Sequence, residues 1–132
     1  MEQTYVMIKP DGVKRHLIGE IIKRIEQKGY DITRMKMTTL ERPLVREHYS
    51  HILHLPDFNE IEDFMVSGPV VCMIVEGERA VEGVRQILGK TDAFSAEVGT
   101  IRGDLATSKR YNLCHASDSV ENAQIEIKRF FG

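Results

Sequence analysis

The sequence has little that would recruit a charged polymer or a lipid bilayer. Its 132 residues carry a formal net charge of −2, so no overall basic field attracts nucleic acid or an anionic membrane surface. No continuous apolar run approaches the length needed to span a bilayer. Neither a nucleic-acid partner nor a membrane partner is therefore expected, and any anion site has to be built locally from a few cations.

Cysteine is also scarce. The two cysteines, Cys72 and Cys114, lack metal-ligand spacing, and each lies in an apolar, strand-like run. They are predicted to be buried thiols of a cytoplasmic protein rather than partners in a disulfide. No secretory signal peptide is expected, because Glu2-Gln3-Thr4 leads directly into a strand.

Repeats, low-complexity tracts and interdomain linkers are absent as well. The hydrophobic content of 42% and the charged content of 29% are ordinary for a globular protein. A chain of this length is large enough to build one core of its own. We therefore predict a single domain over residues 1–132.

The first half of the chain predicts a strand, a helix and a second strand. Residues 5–8 form a short apolar run typical of a strand buried on both faces, and Lys9-Pro10-Asp11-Gly12 ends it. Residues 18–25 place isoleucines at helical spacing. Residues 30–39 alternate imperfectly and predict a second strand, with a bulge.

Two short helices are predicted next. The first begins at Pro43 and carries an apolar stripe that includes Tyr49; the second ends at Val66. The first helix also carries His48, His51 and His54, whose spacing spreads them over about 120° of the helix surface. Because no cysteine lies nearby to complete a structural metal site, we predict that all three are surface histidines.

The second half begins with the strongest buried-strand signal, residues 70–75, and continues into a helix that Gly89 ends. Residues 89–112 have almost no hydrophobic periodicity, and a loop of this length in a compact domain is usually functional or disordered. It contains Arg102 between two glycines, and a planar guanidinium matches the geometry of phosphate oxygens. A short strand and a last helix follow.

The order of elements predicts an α+β fold. It corresponds to a ferredoxin-like βαββαβ sandwich with a four-stranded antiparallel sheet, inserted short helices, a long loop before the last strand and an extra C-terminal helix. The helices are expected on one face of the sheet. This architecture hosts binding modules as well as enzymes, so it does not fix the function.

His115 lies where the last strand gives way to the last helix. Ser117, Asp118 and Ser119 could each cap that helix, and Asp118 with Glu121 three residues later fits a capping box. Backbone amides at a helix start favour anions. A neutral imidazole there could attack a phosphoryl group, but the local pattern fits a structural histidine at a strand end equally well. Taken singly, three other residues also have structural explanations: Lys9 as a solvated strand end, Arg85 as a surface residue on a helix flank, and Tyr49 as a core residue.

Four motifs together are similar, in their order, to the signatures of nucleoside diphosphate kinases: Lys9-Pro10-Asp11-Gly12, Ser67-Gly68-Pro69-Val70-Val71, Gly99-Thr100-Ile101-Arg102-Gly103-Asp104 and Asn112-x-x-His115-Ala116-Ser117-Asp118. The resemblance covers essentially the whole chain. It implies a phosphotransferase that moves the γ-phosphate of a nucleoside triphosphate, typically ATP, to a nucleoside diphosphate. The reaction would be ping-pong, through a phosphohistidine, with Mg²⁺ as cofactor. The resemblance also implies a homo-oligomer, either a tetramer or a hexamer built from dimers.

The resemblance further implies a role for each matching residue. His115 is the nucleophile, Tyr49 lies beside it, and Glu126 with Ser117 orients its ring from the other nitrogen. The nucleotide is held by Lys9 and Asn112 at its ribose and phosphate end and by Arg85, Thr91 and Arg102 at its phosphates. Asp118 reaches Mg²⁺ through water. Phosphoryl transfer depends on positioning and charge neutralisation, which a set of this composition can supply.

One departure from the family pattern concerns the nucleobase. Near Pro56 the family usually carries two aromatic residues, the first of which stacks on the base, whereas this sequence has Asp57 and then Phe58. A carboxylate cannot replace a ring face, so either Phe58 rotates into that role or Ile61 holds the base by apolar contact. On this interpretation Asp57→Phe should lower the KM for nucleotides.

Two other functions are compatible with this architecture. A ferredoxin-like sensor that binds nucleotides without turnover would tolerate a change at His115. An interaction protein that keeps the fold after losing catalysis would be expected to have lost at least one residue of the catalytic set. The whole set is present: Lys9, Arg85, Thr91, Arg102, Asn112, His115 and Glu126.

Overall fold

The computed structural model describes every residue from Met1 to Gly132. Its strands are β1 (Glu2–Ile8), β2 (Asp31–Thr38), β3 (Val70–Gly77) and β4 (Cys114–Ala116). Its helices are α1 (Pro10–Lys14), α2 (Ile18–Gln27), α3 (Arg42–His48), α4 (Phe58–Met65), α5 (Ala80–Leu88), α6 (Ile101–Leu105) and α7 (Val120–Phe131). A 3₁₀ turn, Ser50–Ile52, follows α3. None of the helices combines the length and the apolar character that crossing a membrane requires.

The four strands form one antiparallel sheet in the order β2-β3-β1-β4. In the centre of the sheet, Val6 of β1 lies opposite Met73 of β3 on one side and Ala116 of β4 on the other. The predicted bulge in the second strand is confirmed as a shift of register between Ile32 and Arg34. The strand order is that of a ferredoxin-like sheet, so the predicted fold class is confirmed.

Helices cover both faces of the sheet, which corrects the expectation that they lie on one. One face packs against α2 and α5, in a core that includes Val6, Ile8, Ile21, Ile25, Val84 and Leu88. The other face packs against α3, α4 and α7, in a core that includes Tyr5, Met7, Val45, Met65 and Phe130. Side chains alternate between the two faces of a strand. Because β1 is apolar at every position from Tyr5 to Ile8, the inserted and terminal helices are needed to cover its second face.

Two helices and one helix cap differ from the sequence prediction. The five-residue helices α1 and α6 lie in segments predicted as a turn and a loop, because elements this short show no apolar periodicity. Helix α7 is capped by Ser119, whose side chain accepts a hydrogen bond from the Asn122 amide at 3.0 Å. Ser119 is one of the three predicted capping residues, but the capping box predicted at Asp118 is wrong, because Asp118 instead accepts from the Asn122 side chain at 2.6 Å.

Both cysteines are buried free thiols, as predicted. Cys72 lies in β3, and Cys114 begins β4 opposite Ile8 of β1. Burial raises the pKa of the Cys114 thiol to about 11. This thiol therefore remains protonated, and hence unreactive, near neutral pH.

Candidate active site

The imidazole of His115 projects from the edge strand β4 and is half-buried. Its Nε2 lies 2.8 Å from Oε1 of Glu126, two turns along α7. Burial alone would raise the pKa of Glu126, but the hydrogen bond and charge of His115, with the hydroxyl of Ser117, outweigh it and lower that pKa. Glu126 is thus a carboxylate, which can only accept, so Nε2 of His115 carries the proton. The lone pair is left on Nδ1.

Ser117 holds the other side of this carboxylate. Its hydroxyl donates to Glu126 Oε1 at 2.7 Å and accepts from the backbone amide of Tyr5 at 3.3 Å. The Ser117 side chain is fully buried. The orientation of the His115 ring is therefore tied, through Glu126 and Ser117, to the central strand of the sheet.

A chain of hydrogen bonds joins three more residues of the predicted set. Lys9 Nζ donates to the Asn112 side-chain oxygen at 2.8 Å, and the Asn112 amide donates to the Thr91 carbonyl at 3.1 Å. Burial, followed by the nearby charge of Arg102, lowers the pKa of Lys9 to about 8. The Lys9 ammonium is thus a partly desolvated cation at the end of β1, where it can pair with an anion.

The two arginines of the predicted set differ in their surroundings. Arg102 is buried and donates to three backbone carbonyls, at 3.3 Å to Asn112, 2.9 Å to Gly89 and 2.6 Å to Cys114. Arg85 is exposed and donates to the Ala116 carbonyl at 3.2 Å. Arg102 therefore helps to hold the site together, whereas most of the Arg85 guanidinium is free for a ligand.

These side chains line one cleft of about 520 Å³. Of the residues predicted from sequence, it brings together Lys9, Tyr49, Arg85, Thr91, Arg102, Asn112, His115, Asp118 and Glu126. Burial, and then the charge of Glu126, raises the pKa of Tyr49 to about 12, so its hydroxyl remains a donor at neutral pH. A separate cleft of about 780 Å³ shares Arg85 and Asp118 with this one but contains no histidine.

A third cavity, of about 870 Å³ and more apolar, adjoins the cleft that contains His115. The two share Lys9, Tyr49, Thr91 and Asn112. Its wall includes Ile61, and the rings of Phe64 and Tyr111, which meet edge to face with centroids 4.8 Å apart.

Phe58 does not reach this cavity, contrary to the expectation that it could serve the base. Its side chain is buried, with 6% exposed, and it is not among the residues of the cavity wall. The reason is its position at the first residue of α4, from which the ring points into the protein. Asp57 does line the cavity, and its carboxylate is paired with the guanidinium of Arg110.

Two groups of side chains in the cleft offer metal ligands. One ligand atom from each of His48, His115 and Glu126 lies within 4.8 Å of the others, but His115 and Glu126 are already hydrogen-bonded to each other. Asp118 is exposed on the wall of the cleft and offers carboxylate oxygen. Mg²⁺ prefers oxygen ligands and usually keeps several waters, so Asp118 suits it and the histidine group does not.

His48 is the residue that sequence reasoning missed. It is buried, with 6% exposed, whereas His51 and His54 are exposed as predicted. The prediction of a surface histidine is wrong because α3 packs on α7, and the His48 ring lies edge to face with Phe130, at 5.2 Å between centroids. The only feature of the sequence that indicated burial of His48 was its position next to Tyr49, on the edge of the apolar stripe.

The motif that follows β1 clamps a strained residue two positions before His115. Leu113 has a φ of +77°, a left-handed conformation that costs a residue with a side chain about 1–3 kcal/mol. Its carbonyl accepts from the Lys9 amide at 2.9 Å, and its amide donates to Asp11 Oδ2 at 3.1 Å. At position 12 only glycine fits, since a Cβ there would lie 2.8 Å from the Leu113 carbonyl oxygen. The clamp fixes the backbone between Asn112 and His115.

Asp11→Ala is expected to loosen this clamp. It leaves the Leu113 amide without its partner, so unfolding should become easier by about 1–2 kcal/mol, and kcat should fall while the KM for nucleotides changes less. Asp11→Asn keeps an acceptor and should retain most of both properties. Urea unfolding and steady-state kinetics test this, with Asp31→Ala on the exposed start of β2 as the control. Equal stability of the Asp11→Ala and Asp31→Ala proteins would contradict the clamp.

Comparison with known proteins supplies the family context for this geometry. The family model for nucleoside diphosphate kinase matches residues 2–132. The chain is 51% identical over 131 residues to the nucleoside diphosphate kinase of Acetivibrio thermocellus, covering 99% of this chain and 96% of that protein. It superposes with a TM-score of 0.97 on the apo nucleoside diphosphate kinase of Encephalitozoon cuniculi, at 45% identity, covering 100% of this chain and 90% of that one. The Halobacterium salinarum enzyme in complex with CDP gives a TM-score of 0.95 at 43% identity, covering 98% and 87% of the two chains.

Proposed function

The chain belongs to the nucleoside diphosphate kinase family, and we propose that His115 carries the phosphoryl group between its two substrates. As a nucleoside diphosphate kinase, the protein transfers the terminal phosphate of a nucleoside triphosphate to a nucleoside diphosphate. In the proposed ping-pong cycle Nδ1 of His115 attacks the γ-phosphorus, an N–P bond forms, and the bond to the β-phosphate oxygen breaks. The nucleoside diphosphate leaves, and a second one takes the phosphoryl group from the nitrogen.

The observation that carries this proposal is the hydrogen bond of 2.8 Å between Nε2 of His115 and Glu126. It keeps the proton on Nε2 and the lone pair on Nδ1, which is the form that a nucleophile needs. Phosphorylation of Nδ1 places positive charge on the ring, and a carboxylate bonded to the other nitrogen stabilises that charge. The hydrogen bond from Ser117 keeps Glu126 in position for both half-reactions.

The phosphates are proposed to bind between Lys9, Arg85, Arg102, Thr91 and Tyr49. The first three are cations that line the cleft with His115, and positive charge around a transferring phosphoryl group is the main electrostatic requirement of this chemistry. Arg102 commits three of its N–H groups to carbonyls, which leaves two of its five for a phosphate. The Tyr49 hydroxyl stays protonated and can donate to a phosphoryl oxygen.

Mg²⁺ is proposed to enter with the nucleotide phosphates and to meet the protein at Asp118 through water. Asp118 supports this because its carboxylate is exposed on the cleft that holds His115. The ion would neutralise negative charge on the phosphate oxygens. The side chain of Asn122 donates to the Asp118 carboxylate at 2.6 Å and so restrains its orientation at the cleft.

The nucleobase is proposed to lie in the adjoining cavity, with the ribose between Lys9 and Asn112. The solved Halobacterium relative is a complex with CDP, and in this chain the cavity offers apolar contact at Ile61. The planar guanidinium of Arg110 lines the same cavity, paired with Asp57 and, at 2.5 Å, with Glu60. A guanidinium face can stack on a base. Arg110 would therefore stack on the base where the family pattern has an aromatic ring, and the ion pair with Asp57 would fix the position of its guanidinium.

Removing the guanidinium should therefore weaken nucleotide binding. Arg110→Ala is expected to raise the KM for nucleoside diphosphates about two- to fivefold, and Asp57→Phe, which breaks the pair, should raise KM rather than lower it. Steady-state kinetics with two acceptor nucleotides measures this, with Lys14→Ala, exposed at the end of α1, as the control. A lower KM for Asp57→Phe would favour an aromatic base contact instead.

The activity and its carrier are tested together by isotope transfer. The protein is incubated with Mg²⁺ and γ-labelled ATP, freed of nucleotide, and chased with a different nucleoside diphosphate. We expect an acid-labile, base-stable phosphoprotein whose label moves to the acceptor. A protein that binds nucleotide but never acquires label would instead be a nucleotide sensor without turnover.

A homo-oligomer is proposed from the free edge of the sheet. Strand β2 is the outermost strand beside β3, and an open edge offers unpaired backbone groups to another chain. Its side chains Met35 and Met37 are 56% and 57% exposed, which is unusual for methionine. We propose that two copies meet along β2 and that such dimers assemble further into a tetramer or a hexamer.

Two remaining proposals concern the chain as a whole. The match of one family model to residues 2–132 supports a single domain. The two free buried thiols suit a reducing compartment, and we propose the cytoplasm. Reaction of both cysteines with a thiol reagent only after unfolding would show that they are free and buried.

A further inference from the structure

His48 forms the wall of the cleft behind the nucleophile, where the proposed mechanism gives it no role. Its ring meets that of His115 edge to face, with centroids 4.9 Å apart and planes at 86°. It also lies edge to face with Tyr49, at 4.8 Å. His48 is thus an aromatic spacer between α3 and the imidazole that would be phosphorylated.

The protonation of His48 follows from its partner on α7. Arg129 donates to His48 Nδ1 across 2.9 Å. A guanidinium has only donors, so Nδ1 accepts and the ring proton is on Nε2. Burial, and after it the neighbouring His115, lowers the pKa of His48 to about 3 although Glu126 opposes this. His48 is therefore uncharged at neutral pH, and its one lone pair is used by Arg129.

A contribution to stability does not explain why Arg129 occupies this position. Its side chain is half-buried, it takes part in no salt bridge, and its Nε is buried without a hydrogen-bond partner. Burying part of a cation without a carboxylate partner costs free energy. The hydrogen bond to His48 is the single one that its side chain makes.

We propose that Arg129 and His48 form a positioning pair for His115. Arg129 holds the His48 ring in one tautomer and one orientation, and the edge of that ring holds the imidazole of His115 with Nδ1 toward the cleft. Because Arg129 occupies the lone pair of His48, His115 is the one of these two facing imidazoles that keeps a free lone pair. This pair rests on the proposed role of His115, and it adds a constraint that Glu126 alone cannot supply, since one hydrogen bond still permits the ring to swing about it.

The tautomer is tested on the wild-type protein by long-range ¹H–¹⁵N correlation of the histidine rings. The signal of His48 is identified by its loss in His48→Phe, or by its change in Arg129→Met if that variant does not fold. We expect the neutral form protonated at Nε2 throughout pH 5–8, which does not depend on activity. A His48 that titrates in this range, or that carries its proton on Nδ1, would overturn the proposal.

The positioning role is tested by single-turnover phosphorylation of His115 from ATP. Arg129→Met keeps most of the side-chain volume but removes the donor, and we expect the rate to fall about tenfold or more with little change in nucleotide affinity. Arg129→Lys should recover part of the loss. Lys128→Met, the exposed neighbour on the same helix, is the matched control and should act like wild type.

A double-mutant comparison separates the pair from a general loss of packing. If His48 and Arg129 act as one unit, combining Arg129→Met with His48→Phe should slow phosphorylation no more than the slower single variant does. Equal rates for Arg129→Met and Lys128→Met would refute the role. Failure of wild-type protein to label at all would refute the proposed function instead, while the tautomer of His48 would remain measurable.

Discussion

Alanine in place of His115 is expected to abolish phosphoenzyme formation and to reduce nucleoside diphosphate kinase activity by at least about 10⁴-fold. The effect should be this large because Nδ1 of His115 is the proposed nucleophile, and the neighbouring ring of His48 cannot replace it since its own lone pair accepts from Arg129. Nucleotide binding should persist, since the side chains proposed to bind the phosphates are untouched. The measurement is transfer from γ-labelled ATP, together with equilibrium binding of a nucleoside diphosphate.

Glu126→Gln provides the graded comparison for this prediction. The amide no longer carries the negative charge that stabilises a phosphorylated ring, so phosphorylation should still occur but about 10–100-fold more slowly. Full labelling of His115→Ala would contradict the assignment of the nucleophile. A Glu126→Gln protein as fast as wild type would contradict only the role of the carboxylate.

The second large effect is expected at Arg102, in stability as well as activity. Arg102→Met removes three hydrogen bonds to carbonyls, which together join α6 to the end of α5 and to the segment that leads into β4. Charge-assisted hydrogen bonds contribute about 1.5–3 kcal/mol each but are not additive, so we expect a loss of about 3 kcal/mol and a fall in Tm of about 10 °C.

The functional part of this prediction is separable from the structural part. Arg102 also lowers the pKa of Lys9, after the larger effect of burial, so its removal should raise that pKa. Phosphate binding should nevertheless weaken, because the cleft loses one of its cations. Arg15→Met is the matched control, because Arg15 is exposed and makes one hydrogen bond, of 2.8 Å, to a carbonyl at the end of α6. Its stability should change by no more than about 1 kcal/mol. An Arg102→Met protein as stable as Arg15→Met would mean that Arg102 serves the phosphate alone.

The local sequence pattern was sufficient to predict the main strands and helices of the fold. The isoleucines of α2, the apolar run of β3 and the glycines that end the helices act within a few residues, where period and backbone preference decide conformation. Elements of five residues, such as α1 and α6, carry too few positions to show a period. They form because Pro10 and Thr100 start a turn that packing then completes.

The candidate site was predictable only as a set. No single one of Lys9, Arg85 or His115 is informative alone, and the spacing of the four motifs made them interpretable together. Phe58 was misplaced because the face of α4 that enters the core depends on its packing partners, which lie far away in the chain.

The sequence by itself determined the order of strands and helices, the family and the chemical groups that meet in the cleft. Only the tertiary structure decided how those groups are used: His48 lies inside the site because α3 packs on α7, Arg102 supports three carbonyls, and Leu113 is held in a strained conformation by Asp11. The physical reason is that burial, hydrogen-bond partners and pKa depend on contacts between residues up to about a hundred positions apart. Periodicity and spacing carry no record of such contacts.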